Sequence, residues 1–159
     1  MTVSDYNDIV RQYKNRICRY AEKMLRNRHA AVDVAQESFM KLWEHRYKVD
    51  PNKVPAWLYT TAYHHCLTIL KKERRYVDEK ALENFSFEQP QPDLKKILDE
   101  ALDLLNEQQR TILLLRDYEG YSYEEIGQIL EISGSQVKSS LFRARQRIKE
   151  YLKDLEYVI

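Results

Sequence analysis

Glycine is scarce in this chain: three residues in 159, alongside four prolines and two cysteines. A β-rich protein needs tight turns at short intervals, so these low counts argue for helices instead. Cys18 and Cys66 are too few to build a disulfide framework, and the sequence predicts a reducing, cytoplasmic setting. No apolar run approaches the roughly 18 residues a membrane span needs, and no leader-like segment precedes Tyr6. Membrane insertion is therefore not expected. Cys-x-x-Cys, His-Glu-x-x-His and phosphate-loop patterns are missing too. His64, His65 and Cys66 are adjacent, but helix neighbours point roughly 100° apart at about 3.6 residues per turn. They cannot all face one ion. The sequence predicts no metal, no cofactor and no enzymatic activity.

What is present is a helical pattern with segregated charge. A 43% hydrophobic share allows globular cores, and 32% charged residues suit helices with solvated faces. The net charge of +1 conceals an asymmetry. From Asp78 to Glu131 there are 14 acids against 5 bases, and from Ile132 to Lys153 there are 6 bases against 1 acid. Such segregation points to nucleic acid.

Apolar residues at Tyr6, Ile9, Val10, Tyr13, Ile17, Tyr20, Ala21, Met24 and Leu25 predict an amphipathic helix over Ser4 to Arg26. A second runs from about Ala30 to Arg46, with Val34, Phe39, Leu42 and Trp43 inward. Asp33, Gln36 and Glu37 share one of its sides. That stripe is either a docking surface or a solvated face. Arg46 to Pro55 reads as a loop, with Asp-Pro-Asn as its turn.

The next helix, Ala56 to Arg75, carries Trp57, Tyr59, Thr60, Tyr63 and His64, and ends in Lys71, Lys72, Arg74 and Arg75. Aromatics can stack on unpaired bases while cations follow phosphates. Equally, Trp57 and Tyr63 can be core residues. Pro90 and Pro92 mark a linker over Tyr76 to Asp93, in which Phe85 and Phe87 are apolar exceptions. Leu94 to Leu105 is again amphipathic. Asn106 with Gln109 caps a helix that carries Ile112 to Leu115 and stops at Gly120; its acidic neighbours suit a face turned away from DNA.

Two capping boxes follow, Ser122 with Glu125 and Ser133 with Gln136. They start two helices separated by a tight turn. Ile126, Leu130, Ile132, Val137 and Leu141 are spaced to meet between them, and Gly127 gives room for a close approach. This is helix-turn-helix spacing. The second helix carries Lys138, Arg143, Arg145, Arg147 and Lys149 before the first acid at Glu150. A basic helix on a small apolar seat can enter a major groove.

Three stretches, DVAQESFMKLW (Asp33 to Trp43), AWLYTTAYHH (Ala56 to His65) and LNEQQRTILLLRDYEGYSYEEIGQILEISGSQVKSSLFRARQRI (Leu105 to Ile148), resemble bacterial sigma factors of the extracytoplasmic-function branch. The resemblance implies an all-α protein of two small helical domains, 1–75 and 94–159, joined by a linker at 76–93. It implies that the first domain binds core RNA polymerase and opens the −10 element, while the second reads −35 DNA. Carried over position by position, polymerase docking falls on Val32, Asp33, Gln36, Glu37, Phe39 and Trp43. Contacts to −35 DNA fall on Gln136, Lys138, Ser139, Ser140, Phe142 and Arg143, with Arg145 and Arg147 adding phosphate contacts. Gln136 can also serve as a cap.

The resemblance also implies that the loop at Lys48 to Lys53 sits where the family captures a flipped −10 base. The −10 surface here then comprises Lys48, Asn52, Trp57, Tyr59, Thr60, Tyr63, His64, Lys71 and Lys72. The chain departs from the family pattern at Tyr63-His64, where Arg-Asn is usual, at Thr68 for Asp and at Lys71 for Arg. It departs again at Glu131, a turn position that is often Gly, and at Ser140, often Arg. The implied partners are core polymerase, promoter DNA and an anti-sigma factor, with the free protein a monomer. The rival reading is a stand-alone helix-turn-helix regulator, which would need no polymerase surface.

Overall fold

The computed structural model describes residues 1–80 and 94–158. Among these there is no strand. The regular helices are α1 (Val3–Leu25), α2 (Arg28–Glu44), α3 (Val54–Lys80), α4 (Leu94–Asp103), α5 (Glu107–Leu113), α6 (Tyr123–Leu130) and α7 (Gly134–Val158). A 3-10 turn at Pro51–Lys53 leads into α3, and a π turn at Leu114–Tyr118 extends α5.

Side-chain caps set several of the boundaries. Thr2 Oγ1 accepts from the Asp5 amide at 3.1 Å while Asp5 Oδ2 accepts from the Thr2 amide at 2.9 Å, so α1 begins ahead of Ser4. Arg26 takes the left-handed conformation (φ 52°) and Asn27 caps α2 by accepting from the Ala30 amide at 3.1 Å. The second helix therefore starts at Arg28 and not at Ala30. The third passes the expected end at Arg75 and reaches Lys80, because no Gly or Pro interrupts residues 76–80. That stretch is helix where the sequence reading placed linker. Phe85, Phe87, Pro90 and Pro92 lie outside the described residues.

Helices α1 to α3 pack around Ile17, Met24, Val34, Leu42 and Leu58, all fully buried. Helices α4 to α7 pack around Leu102, Ile112, Leu115, Ile126 and Ile129. The two groups form one continuous apolar cluster. Tyr20 and Thr111 join them through a 2.8 Å hydroxyl–hydroxyl hydrogen bond. The Tyr59 ring meets Tyr20 and Tyr121 edge-on, at centroid separations of 5.7 and 5.3 Å. Tethered modules were expected from the sequence; here the modules touch along a seam.

The helix-turn-helix depends on one close approach. A Cβ placed on Gly127 would sit 2.7 Å from the carbonyl oxygen of Ile132. The glycine thus makes room for the backbone of the turn, where the sequence reading assigned the space to the second helix. Glu131 completes the turn in left-handed geometry (φ 58°, ψ 44°), which costs a non-glycine residue roughly 1–2 kcal/mol. Gly127→Ala is expected to destabilise the fold by about 1–3 kcal/mol through overpacking against backbone that cannot swing away. A thermal unfolding midpoint equal to that of the wild type would contradict this.

Candidate nucleic-acid interface

Helix α7 is set by its first turn. Ser133 Oγ accepts from the Gln136 amide at 3.2 Å, and Gln136 Oε1 accepts from the Ser133 amide at 2.9 Å. Gln136 is exposed and also caps, so its side-chain oxygen is already engaged. Val137, Leu141 and Ala144 are buried at steps of four and three, and they seat the helix on α5 and α6. That seating turns Lys138, Ser139, Phe142, Arg143 and Arg147 outward, with Ser140 half-buried. Phe142 is 70% exposed. Lys138 Nζ lies 5.9 Å from the Tyr123 ring centroid.

Arg145 differs from its neighbours. It holds Asp117 in a two-point pair, Nη2 to Oδ1 at 2.5 Å and Nε to Oδ2 at 3.2 Å. The hydrogen bond to Asp117 keeps its guanidinium above the ordinary arginine pKa. Arg145 was expected among the phosphate contacts; in this arrangement it ties α7 to the π turn. The acids around that turn do more than face away from DNA. Asp117 anchors α7, and Glu119 Oε2 accepts from Arg16 Nε of α1 at 3.0 Å.

The surface expected to take separated strands is divided. Lys48, Asn52, His64, Lys71 and Lys72 are exposed. Trp57 and Tyr63 are half-buried, with Trp57 tilted against His45 at a 6.0 Å centroid separation. Burial raises the Tyr63 phenol pKa. Tyr59 is 0% exposed and offers nothing to a ligand in this arrangement; tyrosines of α1 and the C-terminal unit enclose it. Thr60 Oγ1 lies 2.8 Å from the Ala56 carbonyl and 2.9 Å from that of Ile129 in α6. The seam thus takes two positions that the sequence reading gave to DNA. Cys66 is buried, which pushes its thiol up to about 12, while His64 faces solvent.

On α2, Val32, Asp33 and Gln36 form an outward stripe and Glu37 is half-buried. Phe39 is a core residue, and its carbonyl accepts from the Tyr6 hydroxyl at 2.9 Å. Trp43 is half-buried, edge-on to Tyr6 at 4.9 Å. Sequence reading missed two features here. Met40 continues the stripe and is 57% exposed; it follows Val32 and Gln36 at steps of four, which was the available signal. Tyr47 is 80% exposed at the edge of the basic loop. The Arg46 guanidinium lies 3.9 Å from the Trp43 ring centroid and 4.5 Å from that of Tyr47, a stack prefigured only by an aromatic between two bases.

This arrangement has close counterparts. Sigma-70 region 2 matches residues 9–76 and sigma-70 region 4 matches residues 95–148. The ECF RNA polymerase sigma factor SigM of Bacillus subtilis is 30% identical over 150 residues, covering 90% of this chain and 92% of its own. The chain belongs to the extracytoplasmic-function sigma factors. SigE of Mycolicibacterium smegmatis, another such factor, is 31% identical over 157 residues; the match covers 92% of this chain and 61% of that longer relative. Among solved structures, the sigma factor RpoE of Bartonella quintana, in complex with the anti-sigma factor NepR, superposes with a TM-score of 0.77 at 25% identity. That match covers 95% of this chain and 98% of the other. As a sigma factor, the chain directs promoter-specific transcription initiation. Among the described residues no helix is long and apolar enough to cross a membrane.

Proposed function

We propose that the unit at 1–80 docks on core RNA polymerase and holds the opened −10 strand, and that the unit at 94–159 reads −35 duplex. Residues 81–93 join them. The observation that carries this is the outward basic face of α7, with Lys138, Arg143 and Arg147 exposed on a helix whose opposite side is buried. Phosphate contacts from such a face give affinity that falls with salt. Lys138 and Ser139 sit where a recognition helix reports on base edges. The protein acts by binding alone. It makes and breaks no bonds, works in the cytoplasm, and is a monomer when free.

The docking stripe is Val32, Asp33, Gln36 and Met40, with Glu37 at its edge. It joins acid, amide and apolar groups on one exposed side of α2. Separated strands meet Lys48, Asn52, Trp57, Tyr63, His64, Lys71 and Lys72, with Tyr47 as an added stacking platform. An anti-sigma factor is the expected regulator, since the structurally similar RpoE was solved with one bound. Changing Asp33 and Gln36 together to Ala is expected to reduce capture of core polymerase by at least about tenfold, the loss of two interface contacts of roughly 1 kcal/mol each. Binding to −35 duplex should be unaffected. Undiminished capture would remove α2 as the docking surface.

A further inference from the structure

The seam between the two units is polar in one consistent sense. Helix α1 supplies the bases and the C-terminal unit supplies the acids. Arg16 Nε meets Glu119 Oε2 at 3.0 Å and Arg16 Nη2 donates to the Glu119 carbonyl at 3.2 Å. Arg19 reaches the same carboxylate at 3.7 Å. Lys23 Nζ meets Asp99 Oδ1 at 2.7 Å, and Arg26 Nη1 meets Asp103 Oδ2 at 2.5 Å. Arg74 of α3 adds a pair with Glu107. Arg16, Arg19 and Lys23 recur at steps of three and four, so they form one stripe along α1, and Arg26 continues it just past the helix end.

Behind this stripe the contacts are mixed: Tyr20 shares a hydroxyl hydrogen bond with Thr111 and Arg110 Nη1 donates to the Met24 carbonyl at 2.6 Å, whereas those around Tyr59 are incomplete. Among the described residues the buried hydroxyls of Tyr59 and Tyr121 reach no partner in good hydrogen-bond geometry, an arrangement that water would improve. Thr60 has one hydroxyl proton and two carbonyls within reach, Ala56 in its own helix and Ile129 across the seam. On separation it keeps the first. The seam therefore combines charge pairs that salt can screen with polar groups that gain partners when it opens.

We propose that this seam is an electrostatic latch that holds the free protein in a resting state unable to take single-stranded DNA. Closure covers Tyr59 and engages Thr60, and it presses Tyr121 against the α3 face. It leaves the recognition face of α7 and the stripe on α2 in solvent. A closed molecule can meet duplex and polymerase but cannot hold the opened strand until the latch yields. The occlusion rests on the reading of α3 proposed above; the latch itself does not.

The test uses the full chain and two variants. One reverses the acids (Asp99→Lys with Glu119→Arg). The other adds Arg16→Glu and Lys23→Glu, restoring opposite charges across the seam. Small-angle scattering at low salt should give the wild type a radius of gyration of about 15 Å, that of a compact chain of this length. The acid-reversed variant should be larger by several ångström, and the doubly reversed one compact again. At one fixed salt concentration, the ratio of single-strand to duplex affinity, which discounts the added positive charge, should rise about tenfold in the acid-reversed variant, as expected if about a tenth of the wild type is open. All three should retain duplex binding, tighter in the acid-reversed variant by its added charge, which also shows that each is folded. Equal radii for the wild type and the acid-reversed variant would overturn the latch. Expansion without a rise in the single-strand to duplex ratio would overturn the occlusion. If no variant binds single strands while the radii change as expected, the latch stands and the reading of α3 fails.

Discussion

Arg110→Met is expected to be the most damaging single substitution in the chain. Arg110 is 8% exposed, and among the described residues no carboxylate pairs with it. Its partners are main-chain carbonyls: Nε donates to Leu102 at 3.0 Å, Nη1 to Met24 at 2.6 Å and Nη2 to Leu105 at 3.3 Å. The Met24 and Leu102 oxygens lie at the C-terminal ends of α1 and α4 and that of Leu105 just beyond α4, where unsatisfied carbonyls and the negative ends of two helix dipoles converge. Burial lowers the Arg110 pKa, opposed by the charge of Asp103, yet an arginine stays charged. Methionine fills much of the volume but orphans three buried acceptors. The expected loss is on the order of 3–5 kcal/mol, or a fall of about 10 °C in the unfolding midpoint. Arg110→Lys should fall between, since a single ammonium on a flexible stem cannot serve the three diverging carbonyls as a rigid fork does. A midpoint shift of Arg110→Met below about 3 °C, the effect of roughly 1 kcal/mol, would show that the fork is dispensable.

The largest functional effect is expected on α7. Replacing Lys138, Arg143 and Arg147 by Ala together should weaken duplex binding by more than about a hundredfold and lower the salt slope by about one unit per cation removed. Folding should survive, because the buried side of the helix is Val137, Leu141 and Ala144. Arg145→Ala should behave differently. Its guanidinium is committed to Asp117, so its loss should alter stability more than the salt slope. If binding and slope of the triple variant matched the wild type, the face would not be the one that meets DNA. Salt titrations of an equilibrium binding assay read both quantities.

What was legible in the sequence was local. Ser122 with Glu125 and Ser133 with Gln136 announced two helix starts, and the structure has both capping boxes. The spacing of Val137 and Leu141 told which side of α7 is seated. Periodicity gave α1 and α2; it missed the starts that depend on Thr2 and Asn27 as caps, and it ran α2 to Arg46 where the helix ends at Glu44. The long-range features were not legible. Tyr59 lies on a helix with aromatics on several sides, and only the approach of Tyr121 and Tyr20 decides that its ring is enclosed. Glu119 and Asp117 look like ordinary acids in sequence, and the π turn that sends one toward α1 and the other toward α7 has no local signature. Arg110 sits among polar residues in the chain and against three carbonyls in space. Each omission has the same physical origin: charge and burial where two segments meet are properties of both, and periodicity reports on one.

Run-off transcription with purified core polymerase on a promoter library tests the central claim most directly, because it demands docking, recognition and opening together. Discrete start sites downstream of a shared pair of motifs are predicted with the wild-type chain. They should be lost when Asp33 and Gln36, or Lys138, Arg143 and Arg147, are replaced by Ala. Transcription by core polymerase that is no more selective with the protein than without it would contradict the account.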